Sequence, residues 1–135
     1  MTQINIKNKN FELFISNNKI SSIVHTMAKK INEAGITDPL FIAILNGSFL
    51  FAADIMREIT IPNATISFVK LSSYSGTQTT GKVNELIGLN TEIKDRNIII
   101  LEDIIDTGIT LEKIIESFKK KNVADIKVAT LLFKP

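Results

Sequence analysis

The run Asn97-Ile98-Ile99-Ile100-Leu101 and the residues after it constrain this chain more than any other feature. An uninterrupted apolar run rich in β-branched residues predicts a strand buried on both faces, and such strands belong to parallel sheets covered by helices. This one leads without a break into Glu102-Asp103-Ile104-Ile105-Asp106-Thr107-Gly108-Ile109-Thr110-Leu111. Three carboxylates and a Thr-Gly-x-Thr turn therefore stand between a buried strand and a helix. In an open parallel sheet the carboxyl ends of the strands are where ligands sit.

The rest of the chain keeps the same alternation of strand and helix periods, which is the sequence form of an α/β domain. A helix is predicted over residues 18–34, where Ile20, Ile23, Val24, Met27, Ala28 and Ile31 fall on one stripe at the 3.6-residue period. Ser16 or Asn17 can cap it, and Gly35 stands where a left-handed residue is wanted. His25 lies off the stripe and reads as a solvated surface side chain. Leu40-Phe41-Ile42-Ala43-Ile44-Leu45 predicts a second buried strand, broken by Asn46-Gly47-Ser48 and followed by a short helix over 50–58. Further strands are expected over 64–71, 83–89 and, again buried, 126–133. A helix is expected over 110–121, where Lys119, Lys120 and Lys121 place favourable charge at its carboxyl end. Between the strands at 64–71 and 83–89 lies Ser72-Ser73-Tyr74-Ser75-Gly76-Thr77-Gln78-Thr79-Thr80-Gly81, polar, aperiodic and glycine-punctuated. Such a stretch in a compact domain is a functional lid or a mobile hairpin tip.

Composition narrows the chemistry. The 135 residues suit one domain with one core. With no cysteine, a thiol nucleophile, a redox pair and a thiolate metal site are excluded. With His25 the single histidine, a histidine metal cluster is excluded too. Sixteen basic residues against fourteen acidic give a net charge of +2, so no nucleic-acid partner is expected. The most apolar stretch, 41–55, is interrupted by Asn46, Gly47, Ser48 and Asp54, so no membrane span is read; no N-terminal apolar segment follows a basic start, so no secretory signal is read either. The expectation is a soluble, cytoplasmic single domain.

The residues after the strongest strand can be assigned chemistry directly. Residues 106–110 offer successive backbone N–H groups, the hydroxyls of Thr107 and Thr110, and a helix N-terminus, which are the parts of a phosphate cradle. Gly108 lets the backbone come close to its ligand. Glu102 and Asp103 would repel a phosphate, so they suit a sugar diol or a divalent cation instead. Together these groups describe a site for a phosphorylated ribose, with Asp106 free to act as a base. The bland alternative is that Asp103 or Asp106 caps the helix and Glu102 is a solvated strand end. No Walker lysine motif and no GxGxxG occur.

At these residues the sequence resembles the purine phosphoribosyltransferases, within them the hypoxanthine phosphoribosyltransferase group. Residues 102–111 are similar, almost without departure, to that family's motif for phosphoribosyl pyrophosphate (PRPP). Ile44-Leu45-Asn46-Gly47-Ser48-Phe49-Leu50-Phe51-Ala52-Ala53-Asp54 is similar to the family's first loop, whose backbone meets the pyrophosphate. There the family usually has lysine at the position of Asn46 and a cis peptide before it. Ser72-Ser73-Tyr74-Ser75-Gly76 resembles the mobile loop that closes over the pyrophosphate.

The resemblance implies an α/β fold of the type I phosphoribosyltransferase kind, a central mostly parallel sheet flanked by helices with a mobile hairpin loop. It implies transfer of 5-phosphoribose from PRPP to hypoxanthine or guanine with Mg²⁺. Glu102 and Asp103 would bind the ribose hydroxyls and the metal, with Asp106 as the catalytic acid/base near the purine. Asp106, Thr107, Gly108, Ile109 and Thr110 would hold the 5-phosphate, and Asn46, Gly47, Ser73 and Tyr74 the pyrophosphate. Lys134 would donate to the purine 6-oxo group, a choice that disfavours a 6-amino purine. A homo-oligomer, dimer or tetramer, is implied as well. Group members continue for a few dozen residues past the position of Lys134. That extension supplies an aromatic that stacks on the purine, an aspartate for a second Mg²⁺ and an arginine near the pyrophosphate. None of these positions lies within residues 1–135, so purine affinity and the second metal are where departure from the group is expected.

Two other readings compete. One keeps the fold without catalysis, as a PRPP- or nucleotide-binding regulatory module. The other is a signalling receiver domain, which shares the length, the acids at strand ends and a strand-end lysine. A receiver, however, carries its acidic pair after the first strand, whereas here the acids are packed late and joined to Thr-Gly-x-Thr.

Overall fold

A computed structural model describes residues 3–6, 9–12, 15–73, 84–89, 91–105 and 108–133 of the chain. Its centre is a five-stranded sheet in the order β5-β4-β3-β6-β7. The strands are β3 (Leu40–Ile44), β4 (Thr65–Ser73), β5 (Asn84–Ile87), β6 (Asn97–Ile105) and β7 (Asp125–Phe133). β3 is parallel to both β4 and β6, and β6 is parallel to β7. β5 alone runs antiparallel, against β4. A separate antiparallel pair, β1 (Gln3–Ile6) and β2 (Lys9–Glu12), precedes the sheet.

Three helices cover the sheet, and the alternation of side chains along β3 and β6 shows which face each one covers. Phe41, Ala43, Ile99 and Leu101 point to one face, where they pack with Val24 and Ala28 of α1 (Asn17–Asn32) and with Phe51, Ala52 and Ile55 of α2 (Phe49–Glu58). Leu40, Ile42, Ile44, Ile98 and Ile100 point to the other, where Ile114 and Phe118 of α3 (Ile109–Lys119) meet them. Burial of both faces is what the unbroken apolar runs required. α1 begins at Ser16, whose hydroxyl accepts from the Lys19 N–H at 3.1 Å, and ends before Gly35 at φ 74°. His25 is exposed, as read, and its Nδ1 lies 2.5 Å from Glu58 Oε1 on α2. α3 ends at Lys119, with Lys120 as its C-cap.

Two expectations need correction. β7 is not a buried strand: only Ala129 is buried along it, and Phe133 is 68% exposed. Among the described residues β7 stands at the edge of the sheet, paired with β6 alone, and an apolar run cannot by itself distinguish a central strand from an edge. β6 does not end at Leu101 but continues through Glu102 and Asp103 to Ile105, carried by its ladder to β7, in which Glu102 lies opposite Thr130.

Candidate functional site

The chain order reverses between β3 and β6. From β3 the chain moves outward to β4, and from β6 it moves outward the other way to β7. The connection after β3 passes over one face of the sheet through α2, and that after β6 over the other through α3. A crevice opens at such a switch point, between the loops that leave the two central strands. β6 also outruns β3 here. Their ladder stops at Ala43 opposite Leu101, while β6 continues for four residues. Glu102 thus stands level with Ile44, the last residue of β3, and Asp103 beyond it, against Gly47 of the turn at residues 45–48.

That turn is tightly organised. The Leu45–Asn46 peptide is cis, the geometry that the resemblance implied. The Leu45 N–H donates to the Val69 carbonyl at 2.8 Å, and the Phe49 N–H to the Asn46 carbonyl at 3.2 Å. Gly47 lies against Asp103. A Cβ added at Gly47 would come within 2.7 Å of Asp103 Oδ2 and 3.0 Å of Oδ1. The two segments proposed to contact opposite ends of one ligand are therefore in van der Waals contact.

Glu102 and Asp103 share one environment. The Asp103 N–H donates to Glu102 Oε1 at 3.2 Å. The Glu102 carboxyl is pushed up from its ordinary 4.5 to about 7, first by burial, then by its hydrogen bond to the Asp103 carboxyl and by that group's charge; the Asp103 N–H opposes the rise. The linkage has a definite sign. Below pH 4.5 the carboxyl is protonated whether the chain is folded or not. Between 4.5 and about 7 the folded chain holds a proton that the unfolded chain has released, so stability falls as pH rises through this window. Thermal unfolding without divalent cations is expected to show that fall. In Glu102→Gln the slope between pH 4.5 and 7 is expected to flatten, and an unchanged slope would remove Glu102 as its source.

The pair fits a divalent cation in a particular way. Two adjacent carboxyls that retain a proton between them gain from a positive charge that replaces it. Among the described residues no group of three or more His, Asp or Glu side chains gathers to hold a metal. An ion held here would take its remaining ligands from water and substrate, the coordination that Mg²⁺ favours and that protein cages seldom supply.

The remaining expected site residues fall into two groups. Gly108, Ile109 and Thr110 form the start of α3, with Gly108 as its N-cap at φ 84°, a left-handed conformation that favours glycine. A helix N-terminus at the switch point favours an anion. Asn46 is exposed at the turn, and Ser73 is the last residue of β4, the strand next to β3. Asp106, Thr107, Tyr74 and Lys134 lie outside the described residues.

One residue of the site escaped the sequence reading. Ser48 is the only buried polar residue among those described. A serine after Asn-Gly and before a helix signals an N-cap, and nothing in the sequence distinguishes that role from the one it has.

Known proteins share this sequence pattern and fold. The family model for the phosphoribosyl transferase domain matches residues 14–135. The hypoxanthine phosphoribosyltransferase of Haemophilus influenzae is 35% identical over 96% of this chain and 75% of its own length. A hypoxanthine-guanine phosphoribosyltransferase of Streptococcus pyogenes is 44% identical over 79% of this chain and 62% of its own. The crystal structure of a hypoxanthine-guanine phosphoribosyltransferase from Bacillus anthracis, with a HEPES molecule in its active site, superposes with a TM-score of 0.81 at 34% identity. That match covers 93% of this chain and 75% of the other.

Proposed function

Because the chain belongs to the phosphoribosyl transferase family, we propose that it transfers 5-phosphoribose from PRPP to N9 of a 6-oxopurine, hypoxanthine or guanine, releasing pyrophosphate. The products would be IMP or GMP, as in purine salvage. The observation that carries this reading is the contact of Gly47 with Asp103, which joins the turn after β3 to the acids of β6 at the switch point. Nucleoside 5′-phosphate chemistry needs a pyrophosphate seat, a ribose seat and a phosphate seat in one line, and this crevice can supply them in that order.

The steps asked of the chain are mainly electrostatic. Glu102 and Asp103 accept from the ribose 2′ and 3′ hydroxyls and hold the ring in place. The α3 N-terminus, with residues 106–110, fixes the 5-phosphate. As the bond from C1 to pyrophosphate lengthens, positive charge grows on the ribose and negative charge on the leaving group. Donors on Asn46, Gly47, Ser73 and Tyr74 stabilise the latter. Glu102 and Asp103 would hold Mg²⁺, which when bound would supply positive charge against the departing pyrophosphate. Asp106 accepts the purine proton as the new bond forms. Lys134 donates to the 6-oxo group.

The same reading treats residues 1–135 as one phosphoribosyltransferase-like domain and includes a dimer or tetramer in the cytoplasm. Among the described residues no helix is long and apolar enough to cross a membrane. The test is incubation of the chain with PRPP, Mg²⁺ and hypoxanthine or guanine, with nucleotide and pyrophosphate measured together. Equal amounts of both are expected. A folded chain that neither turns over nor binds PRPP would overturn the assignment of residues 102–110.

A further inference from the structure

Ser48 is completely buried, and a buried hydroxyl persists only where it is hydrogen-bonded. Its position directly before α2 is that of an N-cap, whose side chain ordinarily accepts from the first turn of the helix. It makes no such bond. Its Oγ instead donates backward, to the carbonyl of Ile44 at the end of β3. Its own carbonyl accepts the Ala52 N–H at 2.8 Å and so starts α2. The two oxygens of one residue therefore fasten the turn at both ends, to β3 behind and to α2 ahead. Between them lie Asn46 and Gly47, of which Gly47 lies against Asp103.

We propose that Ser48 is a positioning residue, whose hydroxyl sets the shape of the turn that receives the pyrophosphate of PRPP. It touches no substrate and acts through the backbone of Asn46 and Gly47. The proposal rests on the reading of that turn as the pyrophosphate seat. A serine kept only for stability would leave ligand affinity alone when removed. A serine that shapes the turn would selectively weaken the pyrophosphate end.

The experiment compares the wild-type chain with Ser48→Ala, Ser48→Cys and Phe118→Leu. The last is a core change at the far end of α3 and serves as a stability control. PRPP with Mg²⁺ is titrated calorimetrically, and KM and kcat are measured where turnover occurs. Ser48→Ala is expected to weaken PRPP binding and to raise its KM by roughly tenfold, the size of one lost hydrogen bond. The purine KM is expected to stay within about twofold, while kcat at saturating PRPP falls with PRPP affinity, because the same turn stabilises the departing pyrophosphate. Ser48→Cys keeps the volume and a weak donor, so it should fall between wild type and Ala. Should Ser48→Ala not fold, the Cys variant decides. Phe118→Leu should lose stability with PRPP affinity unchanged. PRPP affinity at the wild-type level in the folded serine variants, or lowered equally in Phe118→Leu, would overturn the proposal. A wild-type chain that does not bind PRPP defeats the reading of the turn itself, and the proposal falls with it.

Discussion

Gly47→Ala is expected to lower kcat/KM for PRPP by roughly a hundredfold, because displacement of a binding group by about 1 Å costs that much. The backbone is not the obstacle. Gly47 is absent from the glycines at positive φ, so an alanine meets no conformational strain there. The turn is also exposed at this residue. What the added methyl meets is the Asp103 carboxylate, with Oδ2 at 2.7 Å, Oδ1 at 3.0 Å and Cγ at 3.1 Å. Non-bonded carbon and oxygen do not approach so closely. Either Asp103 swings away from the ribose seat, or the turn lifts off the pyrophosphate seat. Both changes strike ligand binding while leaving the buried core as it was, so the melting temperature should move by no more than a few degrees. Calorimetric titration of PRPP and a thermal melt of the same variant decide the matter. Wild-type affinity in a folded Gly47→Ala chain would show that the contact with Asp103 does not set the geometry of the site.

Much of this arrangement was legible in the residues, and the exceptions have physical causes. β3 followed from an unbroken apolar run, α1 and α3 from apolar residues on one face at the helical period, and α2 from the break at Asn46-Gly47-Ser48 before it. The acids at 102 and 103 stood out as a pair beside a buried strand but did not read as strand residues. Asp and Glu are poor strand formers, and only the ladder to β7 keeps them extended. β7 misled for the opposite reason. Its side chains have the composition of a core strand, but its place at the edge is a matter of topology, which composition does not carry. The β1–β2 pair passed unread because each strand is only four residues long and carries one or two apolar side chains; its register, Gln3 opposite Glu12, is set by backbone pairing. The contact between Gly47 and Asp103 joins residues far apart in the chain, and no local signal could have shown it. The resemblance supplied that pairing of loops in advance, and the strand order supplies its reason.

Asp106→Asn is expected to separate binding from chemistry. In sequence Asp106 follows the last residue of β6 and comes two residues before the N-cap of α3. Asparagine matches aspartate in size and still offers an oxygen acceptor, so contacts made by shape and hydrogen bonding survive. It cannot take up a proton at neutral pH. If Asp106 is the base that receives the purine proton, kcat should fall by about 10²- to 10⁴-fold, the usual contribution of a positioned acid or base. Affinity for PRPP should stay within about threefold if, as proposed, the 5-phosphate is held by backbone groups at the helix N-terminus and the ribose by Glu102 and Asp103. An equal fall in PRPP affinity and in turnover would make Asp106 a binding group and move the proton elsewhere. Turnover unchanged within a factor of two would leave the purine proton to solvent, with the chain acting by position and electrostatics alone. The contrast with Gly47→Ala gives the two variants their combined force. One should empty the site while sparing the fold, and the other should leave PRPP in place and stop the reaction. A crevice assembled for phosphoribosyl transfer predicts both patterns at once, whereas a module that merely senses PRPP predicts only the first.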